Sequence, residues 1–134
     1  AAVLNVKIKH LEKYIKSRIN IAKIYSKLLF NDCTTPTILN KSRHSFHIYP
    51  ILVKKREYIL KKLRDNKIDA RIHYPIPIYR QPLYQKEYQN FSLPITDLVA
   101  KQQISLPIFP GMRVHEVQTV AKCLKNILHD KRQT

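Results

Sequence analysis

Two prolines set two residues apart, Pro75 and Pro77, place the strongest limit on how this chain can fold. Proline fixes φ and has no N–H to give to a β-ladder, so a strand that reaches Pro75 must leave its sheet there. The residues before it, Ala70-Arg71-Ile72-His73-Tyr74, read as such a strand, and a stiff loop beyond it carries Tyr79 and Arg80. Strand ends and the loops that follow them are common places for ligand-binding groups in α/β proteins. His73 and Tyr74 alternate along the strand, so they point to opposite faces and one can be core while the other faces a cleft. His73, Tyr74 and Tyr79 can each donate a hydrogen bond to an anionic ligand, and Arg80 can bond phosphate with charge assistance. These four are the candidate substrate-binding residues. The competing reading makes His73 structural and Arg80 a solvated surface group.

Around this corner the chain reads as one globular domain of 134 residues, 44% of them hydrophobic. Its single glycine, Gly111, excludes glycine-rich phosphate loops. No catalytic constellation is complete. None of the six histidines shows tight metal-ligand spacing, and His44 and His47, three apart in a loop and a strand, need not converge. No nucleophile-elbow pattern is present. Catalytic, cofactor-binding and metal residues are therefore all left unassigned. Cys33 and Cys123 lie far apart and read as free thiols of a reducing cytoplasm, with a disulfide as the alternative. The apolar runs are short and carry lysines, and the N-terminus lacks a signal pattern, so a cytoplasmic chain with no membrane partner is expected.

The net charge is +16, from 25 Lys and Arg against 9 Asp and Glu. A basic, non-enzymatic nucleic-acid-binding module is one reading of that charge. Against it, the basic residues are spread over the whole chain, AT-rich codon usage would enrich Lys, Ile, Asn and Tyr anyway, and no strand face interleaves aromatic and basic residues as an RRM-like sheet does. A basic cleft for a phosphate-bearing small molecule accounts for the charge equally well. The chain starts at Ala1 and its one methionine is Met112, so it reads as a piece of something longer.

The patterning predicts the elements in order. Leu4, Ile8, Leu11, Ile15, Ile19, Ala22, Tyr25 and Leu29 recur at helical spacing, which predicts one long amphipathic interdomain helix over residues 1–30. A polar loop over 31–45 precedes a small α/β domain over 46–129. A strand over 46–53 follows, with Phe46, Ile48 and Leu52 on its buried face and Pro50 marking an edge or a bulge. A helix over 54–67 leads to the strand at 70–74. The two strands are then either parallel neighbours through a right-handed crossover or the flanks of a third. Residues 81–92 read as irregular, 94–103 as a short helix with Pro94 in its first turn, and 104–108 as the third strand. The last helix spans 113–129 without a Ser, Thr or Asp cap, and a fraying tail covers 130–134. The fold class is α/β, α+β-like: a small three-stranded sheet, helices mainly on one face, and a long leading helix.

Four segments in this order resemble one family. Ala1-Ala2-Val3-Leu4 with Arg18-Ile19-Asn20-Ile21-Ala22-Lys23-Ile24-Tyr25 is similar to the long helix after the Gln-Ala-Ala signature of DegT/DnrJ/EryC1/StrS sugar aminotransferases. Arg43-His44-Ser45-Phe46-His47-Ile48-Tyr49-Pro50-Ile51 resembles the opening of that family's small domain. Ile72-His73-Tyr74-Pro75-Ile76-Pro77-Ile78 with Gln81-Pro82-Leu83-Tyr84 looks like its His-Tyr-x-Pro loop. Ile104-Ser105-Leu106-Pro107-Ile108-Phe109-Pro110-Gly111-Met112 is similar to its strand before the last helix. The wording of the strands looks closest to the branch that acts in pseudaminic acid synthesis.

The resemblance implies the C-terminal small domain of a fold-type I, PLP-dependent enzyme. Such an enzyme is a homodimer that passes an amino group from glutamate to a 4-keto-6-deoxy sugar nucleotide, a UDP-sugar in the resembled branch. The lysine that holds PLP and the acid that partners its pyridine nitrogen would belong to a large domain ahead of Ala1. No PLP is expected on this chain alone, and no transamination by it unaided. His73, Tyr74 and Tyr79 match the family loop that faces the substrate site. The missing Ser or Thr cap at Arg113 departs from the family's usual helix start and puts only local stability in question.

Overall fold

The computed structural model describes residues 1–130. Two short strands, β1 (Tyr49–Leu52) and β2 (Gln103–Leu106), pair antiparallel with Tyr49 opposite Leu106 and Ile51 opposite Ile104. These four apolar residues form one buried face of the sheet. The other face carries Pro50 opposite Ser105 and Leu52 opposite Gln103. The helices are α1 (Ala2–Ile8), α2 (Leu11–Leu29), α3 (Arg56–Asp65), α4 (Pro94–Gln102) and α5 (Val114–Leu128), with a 3₁₀ turn at Ile78–Arg80. α5 packs against both α2 and α3, α3 also contacts β2, and α4 lies against β1.

One hydrophobic core joins the apolar sheet face to α2, α3 and α5. Tyr25 of α2 stacks on Tyr49 with ring centroids 5.0 Å apart, and its hydroxyl donates to the Pro107 carbonyl at 2.9 Å. Ser26 Oγ and Tyr49 Oη lie 2.8 Å apart, so both buried phenols keep a polar partner. Ile59, Leu60 and Leu63 of α3 and Val117, Val120, Ala121, Leu124 and Ile127 of α5 complete the core. Arg56 donates through Nη1 to the Ala100 carbonyl, which ties the start of α3 to the end of α4.

The mixed α/β class holds, with α2, α3 and α5 gathered on the apolar face, but four expectations need correcting. First, the strand expected at 70–74 is reduced to a single bridge. Arg71 exchanges both backbone hydrogen bonds with Ser105, at 3.1 and 2.7 Å, and no ladder continues beyond it. The next donor in line, the His73 N–H, goes to the Gln103 side chain at 3.0 Å instead, and Pro75 offers none. Because β1 and Arg71 sit on opposite edges of β2, the two segments flank a third rather than pairing with each other.

Second, the leading helix is broken between α1 and α2, where the His10 N–H bonds back three residues to the Lys7 carbonyl at 3.0 Å. No proline or glycine marks the break, so the periodicity passes through it. Burial accounts for it: α2 buries Ile21, Ala22, Tyr25 and Leu29, whereas α1 buries nothing and has no packing to hold it in line.

Third, the inward residues of 46–53 are Phe46 and then the odd-numbered Tyr49, Ile51 and Val53, not Phe46, Ile48 and Leu52. Phe46 adopts φ 48° and a bend follows it, which shifts the pleat by one residue before β1 begins.

Fourth, α3 is shorter than 54–67 because Lys55 and Lys67 both adopt positive φ, 53° and 59°. Lys67 closes a Schellman motif: the Ile68 N–H reaches the Leu63 carbonyl at 2.9 Å and the Lys67 N–H the Arg64 carbonyl at 2.8 Å.

The uncapped start of α5 has its own solution. The Glu116 carboxylate accepts the Arg113 backbone N–H at 2.7 Å, which supplies the reach-back half of a capping box. Just upstream, Gly111 sits at φ 89°, a turn conformation that disfavours any side chain. The expected fraying tail lies outside the described residues except for Asp130.

Two substitutions should separate backbone strain from core packing. Lys67→Gly relieves a left-handed lysine, worth about 1–2 kcal/mol, at the expense of glycine's larger chain entropy, and should raise stability by about 0.5–1 kcal/mol. Leu124→Ala should lower it by about 2–5 kcal/mol, as buried leucine truncations do. Urea denaturation of each variant reads both, and a destabilised Lys67→Gly would contradict the strain argument.

Candidate functional site

β2 is buried on both faces, and its second face is polar: Gln103 and Ser105 are each 4% exposed. A buried amide and a buried hydroxyl must find partners or destabilise the fold. They find them in each other and in His73. The His73 N–H donates to Gln103 Oε1 at 3.0 Å, Gln103 Nε2 donates to Ser105 Oγ at 2.6 Å, and Ser105 Oγ lies 2.9 Å from His73 Nδ1. The chain leaving the Arg71 bridge is thus pinned to the sheet by side chains just before Pro75. His73 is half-buried, while Tyr74 turns outward at 77% exposure and meets the His73 ring edge-on at 5.8 Å.

This arrangement opens a cleft of about 560 Å³ between the proline loop and α4. Ile76, Pro77 and Ile78 form one wall, Ile95 and Val99 the other, and His73, Tyr74 and Gln103 stand at its polar end. On the opposite side of His73 a second recess of about 370 Å³ is bordered by Asp69, Arg71 and His47. Asp69 and Arg71 pair there at 2.7 Å, and that guanidinium holds the Asp69 carboxyl below its ordinary value.

Tyr79 and Arg80 do not join this cleft. Tyr79 is buried and its hydroxyl donates to Asp97 Oδ1 at 2.6 Å. Arg80 grips the same carboxylate with Nε at 2.9 Å and Nη2 at 2.6 Å, and its guanidinium carbon lies 5.1 Å from the Tyr79 ring centroid. The clamp fastens the 3₁₀ turn to the first turn of α4, and a bidentate carboxylate already occupies the fork of Arg80. The structure therefore brings His73 and Tyr74 together at the cleft and directs Tyr79 and Arg80 to Asp97.

Sequence reasoning missed Asp97, Gln103 and Ser105. A signal existed for the last two: Gln103 and Ser105 alternate with Ile104 and Leu106, the period-two pattern of a strand with one polar face. Asp97 carried only the weak sign of an acid in a helix's first turn.

Elsewhere, Asp32 (side chain 6% exposed) lies 2.6 Å from His129 Nε2 and 3.3 Å from Lys125 Nζ, which joins the end of α2 to the end of α5. The His129 hydrogen bond leads in holding the Asp32 carboxyl below its ordinary value. Cys33 and Cys123 are free, and burial pushes the Cys33 thiol up to about 11, so it stays protonated near neutrality. Among the described residues no cluster of His, Cys, Asp or Glu can hold a metal ion, and no helix is long and apolar enough to cross a membrane.

The sheet, its helices and the proline loop match one domain of solved sugar aminotransferases. Helicobacter pylori PseC, an aminotransferase involved in the biosynthesis of pseudaminic acid, superposes with a TM-score of 0.80 and 26% identity over 90% of this chain and 34% of that one. DesV from S. venezuelae, solved with a ketimine intermediate, reaches a TM-score of 0.91 at 25% identity over 96% of this chain and 35% of that one. Residues 1–125 match the DegT/DnrJ/EryC1/StrS aminotransferase family, and the chain belongs to it. It is 34% identical to dTDP-3-amino-3,6-dideoxy-alpha-D-galactopyranose transaminase of Aneurinibacillus thermoaerophilus over 92% of this chain and 34% of that protein. The chain thus spans about a third of the length of the curated relatives it matches. The family is PLP-dependent and acts on sugar nucleotides; the solved NtdA of Bacillus subtilis carries the cofactor as PMP.

The clamp predicts an acid response. The Arg80 hydrogen bond, followed by that from Tyr79, holds the Asp97 carboxyl below the usual carboxylate value. A lowered native pKa gives stability that is fully present above the ordinary Asp value of about 3.9 and is lost as pH falls through the lowered one. Asp97→Asn should therefore flatten the acid limb of a stability–pH curve below about pH 4, and an unchanged limb would show that the clamp contributes nothing.

Proposed function

We propose that this chain is the small C-terminal domain of a PLP-dependent nucleotide-sugar aminotransferase, and that the His73–Tyr74 corner forms one wall of its substrate site. The observation that carries this reading is the family match over residues 1–125, which ends after the cleft-forming elements and takes in every residue of the cleft.

The residues of the cleft do not by themselves fit PLP. Its lining has no lysine to receive the cofactor's aldehyde and no carboxylate to partner a pyridine nitrogen. Both groups would come from the other two thirds of the protein, and this domain would supply positioning. His73, held by the sheet, offers a ring edge to the sugar or its phosphates. Tyr74 offers an exposed phenol beside it, and the apolar walls exclude water from the sugar's deoxy face. The Tyr79–Arg80–Asp97 clamp would act indirectly, by keeping the proline loop against α4.

As the substrate we favour a UDP-linked 4-keto-6-deoxy sugar aminated from glutamate, as in pseudaminic acid synthesis. The wording of the strands and the likeness to PseC support that branch. The active protein would be a homodimer. Assaying the gene product that carries this chain, with glutamate as donor and UDP- or dTDP-linked 3-keto and 4-keto sugars as acceptors, tests the reading. Turnover of the UDP-4-keto sugar is expected, with KM raised roughly tenfold or more by His73→Ala and kcat changed less, the size expected when one hydrogen bond to a charged ligand is lost. Turnover of a 3-keto sugar alone would move the substrate assignment, and no transfer to any keto sugar nucleotide would overturn the function.

A further inference from the structure

We infer that Gln103 and Ser105 lock the His73 ring into its Nε2–H tautomer, so that it presents a hydrogen-bond donor to an oxygen on a bound sugar nucleotide; the ligand clause rests on the function proposed above. The argument starts from a group whose role is fixed. A backbone N–H can only donate, so the His73 N–H at 3.0 Å must be met by the oxygen of the Gln103 amide. That sets which way the amide points. Its nitrogen can only donate, and it lies 2.6 Å from Ser105 Oγ.

Ser105 Oγ therefore accepts from Gln103 and keeps one proton of its own. The residue is buried, and among the described residues its hydroxyl has one other hydrogen-bond contact, His73 Nδ1 at 2.9 Å. The serine proton goes there, Nδ1 accepts it, and the neutral ring carries its hydrogen on Nε2. Among the described residues Nε2 has no protein partner, and it is not one of the buried polar atoms left without one. It is thus accessible on a ring that borders both the apolar cleft and the recess beside Asp69 and Arg71.

The consequence is selective. An Nε2–H can bond a hydroxyl, carbonyl or phosphate oxygen, and it cannot accept from an ammonium. Gln103 and Ser105 are positioning residues, because they act on the ligand only through the ring.

The relay has a direction, and one substitution should reverse it. In Gln103→Glu the carboxylate still accepts the His73 N–H but cannot donate, so Ser105 must turn its proton toward it and accept from Nδ1–H. Ring ¹⁵N spectra of the whole gene product that carries this chain, labelled at histidine and held at alkaline pH, read the tautomer directly. The wild type should show His73 as Nε2–H and Gln103→Glu as Nδ1–H, and the reversal should vanish when Ser105→Ala is added. The same tautomer in wild type and Gln103→Glu, with dispersed amide spectra showing both folded, overturns the relay. Should Gln103→Glu not fold, Ser105→Ala alone decides. It should lower the ratio of Nε2–H to Nδ1–H forms roughly five-fold, the weight of one hydrogen bond, and an unchanged ratio overturns the relay. Adding UDP-N-acetylglucosamine to the wild type should shift the Nε2 resonance. No shift, with the tautomer behaviour intact, overturns the ligand clause and leaves the relay standing.

Discussion

β2 is the piece on which the rest of this structure depends. Its four residues are all buried, its two edges are both hydrogen-bonded, and its two faces have different chemistry. The apolar face, Ile104 and Leu106, closes the core against β1 and the helices behind it. The polar face, Gln103 and Ser105, reaches into the segment that becomes the proline loop. Packing and site geometry are therefore carried by alternate side chains of one strand. A shift of a single residue in the register of β2 would exchange them and destroy both.

Much of this was legible in the chain. Pro75 and Pro77 set an outer limit on backbone pairing, which in fact ends earlier, at Arg71, and His73 and Tyr74 border a cleft. The short helix opened by Pro94 and the amphipathic last helix form within a residue of their expected bounds. Misreadings fell where a local backbone choice left no trace in hydrophobic period. Phe46 at positive φ moved the phase of β1, Lys67 ended α3 without the usual glycine, and the α1–α2 break carries no helix-breaking residue.

The site was harder to read for a different reason. A lone sequence shows which residues can bond, and the fold decides which of them are already engaged. Arg80 is a reasonable phosphate ligand by type, yet Asp97 holds it in a bidentate grip. His73 was open to both a structural and a functional reading, and the geometry gives the structural one its content: Nδ1 lies 2.9 Å from Ser105 Oγ.

α1 has a consequence for how such a domain joins to anything else. Its seven residues place Val3, Leu4, Val6 and Ile8 in solvent, and two turn residues, Lys9 and His10, separate it from α2. A helix this short does not hold itself together in water. Its reach beyond the core is about 10 Å. A surface that covered those four side chains would hold the helix in place, while the core behind α2 draws nothing from it.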